Sequence, residues 1–298
     1  MDPTRYLTQI YEIHYQNQLK KYYRKKQIQS PKMERRSIMN HEKLKKYTLK
    51  LDALTLPENL ANPLKNVSTK FTPLQIIMAN IDSVYNLTMQ DSGYLAPQYI
   101  KNFDIADITG TSIDYFQYRV PTTRFFTTMG RDYLDNRQVN MFSDIDFSEK
   151  VRSVSVNGMD LIVDTTTEKI KDRVIRIFKL CKVGGSCICL LDEITPEMFY
   201  IFSLCFESVS LFQPMAEDLN INNFYLIGEN FLGSANDWIQ ILSSKDELNF
   251  NVEYSVNEYL NYFLDSYEKL INELSQELDN NDTEIYNAYK CKALWNIF

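Results

Sequence analysis

The sequence predicts an α/β protein: a doubly wound, mostly parallel sheet with helical extensions at both ends. Three observations carry this expectation. From about residue 74, short apolar strands alternate with helical stretches, the pattern of a sheet covered on both faces. The run Lys182-Val-Gly184-Gly185-Ser-Cys-Ile-Cys-Leu-Leu191 is followed by an apolar helical stretch and two more hydrophobic strands, a closing half that turns from parallel to antiparallel. Charge is concentrated at the ends, with thirteen Lys and Arg against four acids in residues 1–50 and nine acids against three lysines in residues 251–298.

Residues 5–28 have helical spacing, with Leu7, Ile10, Tyr11, His14 and Tyr15 on one stripe, and run into the cluster Lys20, Lys21, Tyr22, Tyr23, Arg24, Lys25, Lys26. Pro31 marks a break, and a second basic helix is expected over about 34–51. Pro57, Pro63 and Pro73 then punctuate a connector. Leu74–Tyr85 reads as a helix, Asn102–Ile108 as a strand, Ile113–Arg119 as a helix, and Arg124–Met129 and Val139–Phe142 as strands. Met159–Val163 is a mostly apolar strand. Thr167–Leu180 is an amphipathic helix that turns Ile170, Val174, Ile177 and Phe178 inward. Strands follow at Ser186–Leu191, Val209–Phe212 and Phe224–Gly228. In the tail, Val256, Leu260, Phe263, Tyr267, Leu270 and Leu274 line one face of a long helix, with Glu258, Asp265, Glu268 and Glu273 opposite. These boundaries define a basic helical N-terminal extension (1–73), an α/β domain (74–233) and a C-terminal helical segment (234–298).

Composition excludes several classes of chemistry. Average usage of roughly 7% would give about twenty glycines, and this chain has 8, few for a backbone that must approach a cofactor closely. The five cysteines form no C-x-x-C pair, so neither a zinc site nor a disulfide framework is expected, and Cys187 and Cys189 share one side of a strand as small apolar residues. With only His14 and His41, a histidine triad or histidine metal cluster is excluded. The longest nearly apolar run, Phe199–Phe206, is too short to span a bilayer, and no signal peptide is read at the start. A cytoplasmic protein without membrane contact is expected.

The order and spacing of Asp107, Asp164, Gly184-Gly185, Pro214 and Tyr225 resemble the FtsJ/RrmJ-type RNA 2′-O-methyltransferase domain over roughly residues 100–231. The resemblance implies a Rossmann-like methyltransferase sheet. It also implies that S-adenosylmethionine, if bound, lies beside Asp107 and Gly110, after the first strand of that sheet. The family's other loop glycines fall on Thr109, Ile113 and Asp114; the β-branched side chains are expected to block that approach, and Asp114 to repel any nearby carboxylate. The family's Lys-Asp-Lys-Glu tetrad is matched at Asp164 alone. Leu190 stands at the central lysine, Asn223 at the glutamate, and Lys43 is a poor candidate for the first lysine. Lys182 lies at the other end of the Gly-Gly strand.

The resemblance therefore implies a frame kept and a proton acceptor lost. The expected function is a non-catalytic methyltransferase-like subunit in mRNA capping or RNA modification, with no cofactor. In size and plan the chain is similar to the small, stimulatory capping-enzyme subunit of poxviruses, which implies a hetero-oligomer in host cytoplasm or virion. Lys20–Lys26 then contact RNA phosphate, with the tyrosines stacking on bases, or an acidic partner such as a catalytic capping subunit. Ordinary solvated helix faces account for the same charge pattern. The tail helix packs on its own domain or docks a partner. Two other functions stay open: an active S-adenosylmethionine-dependent cap 2′-O-methyltransferase whose lysine comes from elsewhere, and an assembly protein that reuses a Rossmann-like sheet.

Overall fold

Strands buried on both faces must be apolar almost throughout, and the central strands of this protein meet that condition. In a computed structural model, Ile105, Ala106, Phe125, Phe126, Leu161, Ile162, Val163, Cys187 and Ile188 are wholly buried. The structure describes residues 69–90, 98–99, 103–128, 139–141, 151, 157–191, 196–212, 214, 224–233 and 235–244, with 260, 261, 265 and 292. The basic head and nearly all of the acidic tail lie outside the described residues. Of the tail helix, Leu260 is helical and buried in the core, and Asp265 is helical and exposed.

The elements in chain order are α1 (Pro73–Tyr85), β1 (Met89–Gln90), β2 (Gln98–Tyr99), β3 (Asp104–Asp107), α2 (Ile113–Arg119), β4 (Arg124–Thr127) and β5 (Val139–Met141). They continue as β6 (Met159–Asp164), α3 (Ile170–Leu180), β7 (Cys181–Leu191), α4 (Pro196–Cys205), β8 (Phe206–Phe212), β9 (Phe224–Phe231) and α5 (Asn236–Ser243). β1 and β2 form a small antiparallel pair. The other seven strands make one sheet in the order β5-β4-β3-β6-β7-β9-β8. The first five are parallel to their neighbours, and β9 runs antiparallel between β7 and β8. The chain steps outward from β3 to β5 and then returns to β6 on the other side of β3. The β3/β6 boundary is therefore the topological switch point.

Local chemistry accounts for several boundaries. α1 starts one residue before the expected helix, because Pro73 suits the first helical position. A capping box closes that end: Gln75 N donates to Thr72 Oγ1 (3.4 Å) and Thr72 N donates to Gln75 Oε1 (3.0 Å). β7 begins at Cys181, five residues earlier than expected, and follows α3 directly. Gly184-Gly185 lie inside the strand instead of launching it. The register with β6 slips between Met159 and Leu161, and Gly184 takes φ +79° there. α3 starts at Ile170, later than the expected Thr167. α5, inside the stretch expected to be helical (234–298), packs on α3 and buries Leu242.

Four phenylalanines join the elements around the antiparallel end. The Phe202 and Phe206 rings stack at 5.5 Å, with Phe178 5.4 Å from Phe202 and Phe231 5.1 Å from Phe206. Opposite, Asp82 ties α1 to α2. It accepts from Thr88 N (2.9 Å), Thr88 Oγ1 (2.7 Å) and Tyr115 Oη (2.8 Å), and pairs with the Arg119 guanidinium (3.3 Å).

Gly158 precedes β6 with φ +82°, and a Cβ there would stand 2.7 Å from the Leu180 carbonyl oxygen. Gly158→Ala combines a left-handed backbone with a clash against main chain. It is expected to cost about 2 kcal/mol or more, read as a lowered urea midpoint at unchanged slope.

Candidate functional site

Ligands of open α/β sheets bind beyond the carboxyl ends of the strands at the switch point, and the residues singled out by the sequence gather along that edge. Asp107 ends β3 and Asp164 ends β6, its strand neighbour. Asp164 is in register with Cys189, Leu190 with Tyr225, and Leu191 with Phe224. The positions assigned to the tetrad aspartate, the central lysine and the strand tyrosine are thus carried by three adjacent strands. Asn223 and the Lys20–Lys26 cluster lie outside the described residues. Lys182 is at the opposite edge, paired with Asp160, while Asp160 Oδ2 accepts from Asp104 N (2.8 Å) and Asp104 pairs with Arg124. That row of charges stitches together the amino ends of β3, β4, β6 and β7.

Asp107 is fully buried, and its carboxylate serves its own turn. Oδ1 accepts from Gly110 N (2.9 Å) and Thr109 Oγ1 (3.3 Å), and Oδ2 from Ser112 N (2.7 Å) and Ser112 Oγ (2.7 Å). Burial raises its pKa above the ordinary 3.8, outweighing the lowering by Ser112, Gly110 and Thr109. Gly110 has φ +65°, and a Cβ on it would meet Thr127 Oγ1 at 2.9 Å. The turn and the contact with β4 therefore require this glycine whether or not a ligand is bound.

Thr109 and Ile113, expected to block the loop, and Asp114, expected to repel a carboxylate there, diverge in the structure. The Ile113 side chain is wholly buried in the core, because it opens α2 on the helix face turned to the sheet. Asp114 is exposed and accepts from Gln75 Nε2 (2.9 Å). Only Thr109 reaches across the switch point. Its hydroxyl shares hydrogen bonds with Thr111 Oγ1 (2.7 Å) and with Thr165 Oγ1 (3.0 Å), the residue after β6.

Asp164 is buried and neutralised from α3. Arg176 Nε donates to Oδ2 (2.9 Å) and its Nη2 lies 2.8 Å from the same oxygen, while Thr166 Oγ1 donates to Oδ1 (2.7 Å). Arg176 Nη2 also pairs with Glu168 (2.7 Å). Burial pulls the guanidinium pKa down, yet the Asp164 charge and bonds to Glu168 and Asp164 leave it above its ordinary value. One turn away, the buried Arg173 donates from Nη1 to the Leu190 carbonyl oxygen. The edge thus carries two guanidinium groups and, at Leu190, a hydrocarbon. A guanidinium supplies charge and directional donors, but it cannot accept a proton.

Neither arginine figured in the sequence reasoning, although the signal was present. Arg173 falls three residues after Ile170 and four before Ile177, on the apolar stripe of α3, where a charge needs a partner. Cys181, Cys187 and Cys205 are buried thiols. Burial pushes Cys205 up to about 12 and raises the other two, so all three are unreactive packing groups. Among the described residues no cluster of His, Cys, Asp or Glu is suited to a metal, and no helix is long and apolar enough to cross a membrane.

Strand order, the single reversed strand β9 and the carboxylates ending β3 and β6 define an α/β, Rossmann-like sheet of the methyltransferase type. No protein-family model and no curated protein matches the chain. Solved structures similar to it include a protein of Plasmodium falciparum described as a ribosomal RNA methyltransferase, with 17% identity, TM-score 0.36, and 54% of this chain and 98% of that one covered. Another, from Corynebacterium glutamicum, is described as a spermidine synthase, with 16% identity, TM-score 0.38, and 63% and 77% covered. A fibrillarin/Nop5p complex matches at 12% identity and TM-score 0.36, with 52% and 83% covered. The fold assignment rests on strand order and direction.

Arg176→Gln leaves a buried carboxylate without its cation. It is expected to destabilise the protein by about 3 kcal/mol, toward the lower end for a buried pair because Arg176 retains some exposure. Guanidinium chloride unfolding measures this, and a loss under about 1 kcal/mol would mean the pair behaves like a surface one.

Proposed function

We propose that this chain is a methyltransferase-fold subunit acting in RNA modification, mRNA capping in particular, without transferring a methyl group itself. The observation that carries this reading is the site at the end of β7. Leu190 stands where the resemblance implies the proton-accepting lysine, and Arg176 and Arg173 supply the positive charge beside the strand ends. Deprotonation of a ribose hydroxyl needs a group able to gain a proton, which neither arginine nor leucine provides. Loss of such a group removes a factor of roughly 10² to 10⁴ in rate. S-adenosylmethionine is the methyl donor of this type of sheet, but the residues assigned to hold it do not fit it. Both oxygens of Asp107 are spent on the loop's own donors, and Thr109 stands where close approach calls for glycine.

In this reading the protein works by association. The Lys20–Lys26 cluster engages RNA phosphates, and the chain pairs with a catalytic capping subunit in the cytoplasm, on the plan of the poxvirus stimulatory subunit. Two measurements test it. Incubated alone with capped RNA and labelled S-adenosylmethionine, the chain is expected to transfer no methyl group. Turnover abolished by Asp164→Ala would establish an active 2′-O-methyltransferase instead. Neutralising Lys20, Lys21, Arg24, Lys25 and Lys26 together is expected to lower the salt slope of single-stranded RNA binding by about 3 to 4, since each phosphate contact contributes about 0.7. An unchanged slope would take the RNA role away from the head.

A further inference from the structure

We infer that the switch-point crevice of this protein is a closed seam of threonine hydroxyls, with Thr109 as its central plug, and not a cradle for a nucleoside cofactor. The inference rests on the methyltransferase-type sheet argued above, but not on the loss of a proton acceptor at position 190. Thr109 Oγ1 has three partners: Thr165 Oγ1 at 3.0 Å, Thr111 Oγ1 at 2.7 Å and Asp107 Oδ1 at 3.3 Å. A hydroxyl has one proton to give and two lone pairs, so this set fills its capacity. The Thr109–Thr165 bond joins the ends of β3 and β6 at the place where open sheets of this kind admit a ligand.

Two amides of the loop also point inward. Gly110 N and Ser112 N, which an open loop presents to an anionic or ribose group, both donate to Asp107. Thr111 O accepts from Gln75 Nε2 (3.2 Å), and the same amide group donates to Asp114 (2.9 Å). The carbonyl end of Gln75 accepts from Thr72 N in the α1 capping box. Moving the loop outward therefore also disturbs the start of α1. Behind it, Thr128 Oγ1 donates to Ile108 O (2.8 Å), which ties the end of β3 to the residue after β4. A nucleoside entering here has to break several of these bonds, each weakening its binding by up to roughly tenfold.

Two measurements on the full chain test the seam. In calorimetry with S-adenosylmethionine, no saturable heat is expected up to about a millimolar. Saturable binding below that would overturn the seam. Binding without methyl transfer to RNA would do so while leaving the non-catalytic reading intact, and methyl transfer would sink both. In amide hydrogen exchange, Thr109→Ala with Thr165→Ala is expected to accelerate exchange at residues 108–112 by several-fold to roughly tenfold, while Thr109→Ser with Thr165→Ser leaves it near wild type. Should the double alanine variant not fold, Thr165→Ala alone removes one hydroxyl from a half-buried site and gives the same readout. Unaltered exchange in the alanine variant would mean the hydroxyls do not hold the crevice shut.

Discussion

A carboxylate buried at the end of a central strand has to be compensated, and much of the candidate site follows from how Asp164 meets that requirement. Three solutions are open to such a group: neutral hydrogen-bond donors, a titratable partner, which can exchange protons, or a permanent cation, which cannot. Here Arg176 is the partner, with Thr166 completing the shell. The choice constrains α3, because its first turns must face the strand ends for Arg173 and Arg176 to reach them. The register of β7 beside β6 in turn sets what Arg173 meets, namely the carbonyl of Leu190.

The same principle operates at Asp107. Its burial is offset by donors from its own loop, and that arrangement keeps the loop folded over the end of β3. Gln75 couples the loop to α1, and Asp82 couples α1 to α2, so the elements above the switch point form one hydrogen-bonded unit.

Much of the sheet was legible beforehand because buried strands leave a strong trace: β6, β4 and β9 hold the apolar cores Leu161–Val163, Phe125–Phe126 and Phe224–Ile227, flanked by polar or turn residues. α2 is read from its helical spacing, and it has the bounds that the spacing predicts. The start of β7 was not legible, because Gly184-Gly185 signals a turn as readily as a bulge. Reading Ile113 as an obstruction to a cofactor also failed. A β-branched residue at a helix start looks the same in sequence whether it faces a crevice or the core.

By itself the sequence determined the kind of sheet, the presence of Asp107 and Asp164 at strand ends, and the hydrocarbon at position 190. These depend on periodicity and residue type, which are local properties. Only the tertiary structure decided that Arg176 neutralises Asp164 and that Thr109 meets Thr165 across the switch point. Those pairs join residues 12 and 56 positions apart, and nothing in local pattern encodes which distant side chain will satisfy a buried polar group. That is settled when the strands align and the burial of each group has to be compensated.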